Sequence, residues 1–191
     1  MTREQISDIA WIKYKKDRIG HFFVTIHGIS DTIEYSYATQ AEMRKMFDLI
    51  CTKHGLITIA PDLAVNPHKL LGLSSSKDQT EVRMVDESMS FSVIPFAYEQ
   101  QHSKILAMRF KAIMQVTGGA ANWLYTSDAF QFMMVLRSAV KYVCLEHTIT
   151  IFHLGRNSQP FNVCWGNREN AEAVSKYIQK QLMQTTENNL K

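Results

Sequence analysis

The sequence predicts an α+β fold, a largely antiparallel sheet built from hairpins and covered by helices, and three observations carry that prediction. Short β-branched and aromatic runs occur in pairs separated by turn residues. Segments of helical period, with caps, lie between those pairs. Only eight glycines and four prolines interrupt 191 residues, which leaves most of the chain for regular structure. A single domain spanning 1–191 accommodates this length.

The elements follow in order. Thr2 and Gln5 stand at capping-box spacing, and Ile6, Ile9, Ala10 and Lys13 recur at helical period, which predicts a first helix ending near Gly20. His21 to His27 and Thr32 to Tyr37 read as a hairpin. Thr39 and Glu42 form a second capping box, and Met43, Met46, Phe47 and Ile50 share one face, so a helix is expected over 39–54, stopped by Gly55. Leu56 to Ala60 is a short strand closed by Pro61. The stretch 61–80 contains Pro61, Pro67, Gly72 and three consecutive serines, and is predicted to be a long loop.

Thr80 to Asp86 and Met89 to Pro95 alternate as a second hairpin, and Ala97 to Thr117 forms a helix ended by Gly118-Gly119. A further helix is expected from Thr126 or Ser127 to Glu146, because Phe132 to Leu136, Val140, Val143 and Cys144 make an apolar run too wide for one face. Thr148 to Leu154 and Phe161 to Trp165 give a third hairpin. Asn167 caps a last helix, with a frayed tail over 184–191.

Chemistry is scarce in this sequence. The phosphate-cradling, dinucleotide-binding, zincin and serine-elbow motifs are all absent, so no catalytic residue and no cofactor is assigned. Cys51 with His54, and Cys144 with His147, repeat a C-x-x-H spacing that on helices would present a thiolate and an imidazole together. Read as buried thiols and helix-end histidines, they make no metal site. His21, His27, His147 and His153 sit in strands at matching spacing, and the alternative reading, a small hydrolase or phosphoesterase using His and Cys residues, would need at least one of them to converge with an acid or hydroxyl. An internal duplication is suggested by two incompatible registers, 21–54 with 147–180 and 43–59 with 136–152, so no repeat is assigned.

The three cysteines lack any paired spacing, the acidic start is unlike a secretory leader, and the most apolar run is far short of a membrane span; a cytoplasmic protein is expected. A net charge of +3 is too small for a nucleic-acid footprint, although Trp11 to Arg18 interleaves basic and aromatic residues. What remains is contact chemistry. Trp123, Leu124 and Tyr125 in a short link, with Leu70, Leu71 and Leu73 in the predicted long loop, are the expected partner-binding surface. The functional expectation is a non-enzymatic adaptor or secretion-chaperone-like subunit. It would hold a protein partner, in an apolar groove or along a sheet edge, within a larger assembly.

Overall fold

A computed structural model describes residues 9–28, 31–75, 79–85, 88–92, 99–127, 132–155 and 160–188. Among these residues, three helices and three antiparallel sheets make a mixed α+β fold in which strands dominate. The chain divides into two compact units, 1–70 and 71–191.

In the first unit, β1 (Ile9–Lys16), β2 (Phe22–Gly28) and β3 (Thr32–Tyr37) form a meander followed by α1 (Gln40–His54). The hairpin of β4 (Ile57–Ala60) and β5 (Leu63–Val65) then returns to the sheet, whose order is β3-β2-β1-β5-β4. Both sides of β1 are therefore paired. Helix α1 carries the expected capping box, with Thr39 accepting from the Glu42 amide and Glu42 accepting from the Thr39 amide, and Gly55 ends it in the left-handed region at φ 62°. Met43, Phe47 and Ile50 pack from the helix onto Ile9, Ile12, Val24 and Ile26.

The expected first helix is a strand over its described residues; its Thr2–Gln5 cap lies outside them. The cause is a bulge between Ile9 and Trp11. An extra residue moves the next same-face position from i+2 to i+3, so Ile9 and Ile12 share the core face at a spacing that imitates a helix. The stretch 61–80 is likewise no long loop. Pro61 and Asp62 make the two-residue turn between β4 and β5, and Pro67 opens a 3-10 turn over 67–69. Gly72 lies inside β6 (Leu70–Ser75), and β7 (Gln79–Met84) follows. A Cβ on Gly72 would meet the Phe161 ring at 3.2 Å, so glycine there serves packing rather than a turn.

In the second unit the pattern recurs. Strands β6, β7 and β8 (Ser88–Ser92) lead into α2 (Glu99–Val116), and the hairpin of β9 (Trp123–Ser127) and β10 (Phe132–Leu136) pairs back against β6, giving the order β8-β7-β6-β10-β9. The helix expected over 127–146 is thus two strands, β10 and β11 (Val140–Glu146), around a 3-10 turn at 137–139. Met133, Met134 and Val135 are fully buried because β10 is an interior strand covered on both faces, which removes the alternation that marks a half-exposed strand. Downstream, Val140 and Val143 owe their helical spacing to a second bulge, between Val140 and Tyr142. Strands β11, β12 (Ile149–Leu154) and β13 (Phe161–Cys164) form a third meander. It leads into α3 (Arg168–Asn188), whose last turns include residues 184–188 of the expected frayed tail.

Each sheet therefore starts from a three-strand meander followed by a helix. In the first two, a hairpin from beyond the helix is added to the free side of the first meander strand. The correspondence is residue for residue. A 3-10 turn immediately precedes both β6 and β11, and β1 and β11 share a bulge at the same ladder position, so Ile9, Leu70 and Val140 are equivalent. Of the two competing sequence registers, 21–54 with 147–180 agrees with the topology at the second strand, where it matches His27 to His153, but not at the third, where Ser36 is equivalent to Cys164.

Candidate partner-binding edge

The third sheet has an inner face, an outer face and an open side. Phe152, Leu154, Phe161 and Val163 turn inward, where Val140, Val143 and Leu145 join them and Ala171 and Ile178 of α3 pack. One polar chain crosses this core: the Trp165 indole N–H donates to Thr150 Oγ1 at 2.8 Å, and Thr150 lies 3.0 Å from Ser175 Oγ. With its donor satisfied, the buried indole carries little desolvation penalty.

On the outer face, Tyr142 pairs with His153 and Cys144 with Ile151. The Tyr142 and His153 rings stack at 4.1 Å and 14°, and Cys144 Sγ lies 3.5 Å from His153 Nε2. The same position in the first sheet holds Trp11 stacked on His27 at 4.9 Å and 13°. The two stacks differ in burial. Trp11, flanked on its other side by Val65 of β5, is 8% exposed, whereas Tyr142 is 57% exposed.

The difference follows from the ladder. Strand β1 pairs with β2 and β5, and β6 lies between β7 and β10. Among the described residues, β11 pairs with β12 alone. Its outward backbone N–H and C=O groups have no strand partner among the described residues, and the segment Tyr142–Leu145 contains no charged residue or proline. A helix packs over the first meander strand in the first sheet too, where β5 still takes the edge, so α3 does not close this side.

The residues of the expected surface lie on β6 and β9, on either side of β10 in one sheet. Trp123 is 2% exposed, and its indole N–H donates to Thr117 Oγ1 at 2.8 Å, pinning the end of α2 to the start of β9. Leu124, Leu70 and Leu73 are buried as well, and Leu71 is half-buried, so these leucines and the tryptophan are packing residues within strands. Tyr125 alone of the six is largely accessible, at 46%. Sequence reasoning missed Tyr142 and the edge of β11; the bulge concealed a strand there.

Metal and thiol chemistry also rearranges. Cys51 and His54 do share α1, but Cys144 lies in β11 while His147 forms the two-residue turn to β12 with φ 50°, so that pair does not share a helix face. Among the described residues no group of three or more His, Cys, Asp or Glu side chains is placed to hold a metal ion. Burial pushes the Cys51 thiol up to about 12, with Asp48 adding to the effect. His21 and His27 stand apart on β1–β2 business: His21 contacts Asp17 at 3.1 Å, and His27 contacts Thr32 Oγ1 at 2.6 Å.

The basic stretch from Trp11 to Arg18 lies mainly in β1, and its three lysines make contacts within the sheet. Lys13 lies 3.8 Å from Asp62, Lys15 sits 2.8 Å from Glu34, and Lys16 stands over the Phe22 ring. Hydrogen bonding from Lys15, with Thr25 assisting, holds the Glu34 carboxyl below the usual carboxylate range. No helix among the described residues is long and apolar enough to cross a membrane. No family model matches the chain, and no curated protein or solved structure is significantly similar to it.

Proposed function

We propose that the chain is a non-enzymatic, cytoplasmic protein–protein interaction subunit, an adaptor or secretion-chaperone-like protein that takes up an extended segment of a partner along a sheet edge. One observation supports this reading above the others. Of three sheets that each contain a three-strand meander, two have the first meander strand covered on both sides and the third leaves β11 uncovered among the described residues. An edge strand that presents unpaired backbone groups beside an exposed aromatic residue is the arrangement used in strand addition, where main-chain hydrogen bonds provide affinity and side-chain pockets provide selectivity.

The contact between Cys144 and His153 favours a second reading, a small thiol hydrolase, because an imidazole beside a thiol can activate it. The two are separated by capturing partners from native cells with the full chain and with Tyr142→Lys. The substitution places a charge on the outer face, where the native side chain is already exposed, and lysine discourages edge pairing. The adaptor reading expects a stoichiometric partner with the native chain and its loss with the folded variant. Capture that is indifferent to Tyr142→Lys, or an absence of any partner together with stoichiometric labelling of Cys144 by a substrate-like acylating reagent, contradicts it.

A further inference from the structure

The outer edge of β11 has two worked examples of its occupant within the same chain. On β1, Trp11, Ile12 and Lys13 pair antiparallel with Val65, Ala64 and Leu63. On β6, Gly72, Leu73 and Ser74 pair antiparallel with Val135, Met134 and Met133. Because Ile9, Leu70 and Val140 are equivalent, these two triplets fall on the same three positions, and on β11 those positions are Tyr142, Val143 and Cys144. In both ladders the last pair places a valine, Val65 or Val135, opposite the first of the three, and a 3-10 turn begins two residues after that valine. All six of their pairing residues are apolar and fully buried.

We infer that β11 receives an antiparallel hairpin strand from another polypeptide, an uncharged apolar triplet ending in a β-branched residue, with that last residue opposite Tyr142 and the first opposite Cys144. This rests on the protein-binding reading above and specifies its partner. The physical case is that a sheet edge selects by backbone pairing and by the side chains on its two faces. In β11 the middle residue of the three, Val143, points into the core with Val140 and Leu145, and Tyr142 and Cys144 point outward. A matching strand therefore extends the inner core with its middle side chain and covers Tyr142 and Cys144 with the other two. The other edge strands, β3, β4, β8, β9 and β13, do not share this prediction. The third meander strand and the outer hairpin strand are edges in every sheet that contains them. A second copy is not the favoured occupant, because its two hairpins already pair with its own β1 and β6.

The probe is a synthetic peptide of residues 56–66 of this chain, which carries β4, its turn and the Leu63-Ala64-Val65 triplet, added to the full chain. Two further peptides carry backbone N-methyl groups, one at Leu63 and Val65 and the other at Ala64. Successive N–H groups of a strand point to opposite sides, so one of these modified peptides loses the donors that face β11 and the other keeps them. The expected result is saturable binding that slows hydrogen exchange of backbone amides within 140–146 by about tenfold or more, abolished by one N-methylated peptide and retained by the other. The inference is overturned by slowed exchange at a different strand, by no effect at millimolar peptide, or by equal binding of both modified peptides. It is also overturned by sedimentation showing that the chain alone dimerises with β11 already protected. Peptide failure with partner capture still lost in Tyr142→Lys would overturn the hairpin register while leaving the binding reading intact. Capture unaffected by Tyr142→Lys would remove the binding reading itself.

Discussion

Single residues decide more here than their number suggests. Ala10 and Lys141 are the inserted residues of two bulges, and each converts an alternating strand into a pattern with i+3 spacing on the buried face. The thiols and imidazoles then acquire properties set by burial. Cys51, with its thiol pushed up to about 12 by desolvation, should react with a disulfide reagent at neutral pH far more slowly than the exposed Cys164. Labelling the native protein and mapping the modified cysteines checks this; rapid modification of Cys51 before unfolding would show that the helix α1 core opens readily. His54 supplies a pH effect of defined sign. Burial, with Lys53 adding repulsion, holds its imidazole below the ordinary value, and its Nε2 is buried without a hydrogen-bond partner. The unfolded chain therefore takes up the proton first. The stability tied to neutral His54 is complete above the unfolded pKa of about 6.5 and is lost as pH falls through the lower folded value. Melting curves between about pH 7.5 and pH 5.5 should show a smaller decline in His54→Gln than in the native chain. Equal slopes would assign the acid sensitivity to other groups.

At the scale of elements, legibility followed local grammar. Helix α1 was readable because Thr39, Glu42 and Gly55 are local signals that no distant contact altered. The hairpins β2–β3, β7–β8 and β12–β13 were readable for the same reason, since paired apolar runs flank a turn. The failures had distant causes. Strand β10 looked helical because both of its faces are covered, and Pro61, Pro67 and Gly72 looked like loop residues although each is accommodated within strands or their turns. Trp123 illustrates the cost of reading a link as a surface. Gly118 and Gly119 adopt φ of 91° and 96°, Thr117 accepts from the Trp123 indole, and Asn122 donates to the Thr117 carbonyl, so the aromatic residue closes the α2–β9 connection. Trp123→Ala should destabilise the fold by about 3–5 kcal/mol, the range for truncating a buried tryptophan. Chemical denaturation of the variant measures this directly, and a change under about 1 kcal/mol would return Trp123 to the surface.

Across the whole molecule, the recurring meander, helix and returning hairpin was hidden because equivalent positions differ in chemistry. Trp11, Gly72 and Tyr142 occupy one ladder position, and Lys13, Ser74 and Cys144 another. The site was legible only in class: a sheet edge was among the expected modes of partner contact, but its location depended on the bulge and on the comparison of three sheets. Among the described residues, β11 has one paired side where β1 and β6 have two. Amide hydrogen exchange resolved by residue in the free full-length protein measures this claim with no partner needed. Consecutive amides should be protected at Trp11, Ile12 and Lys13 and at Gly72, Leu73 and Ser74, whereas across Tyr142, Val143 and Cys144 protection should alternate, with the outward-facing amides exchanging as exposed groups. An unbroken run of protection from Tyr142 to Cys144 in the free monomer would show that the edge is already covered, and would contradict the account.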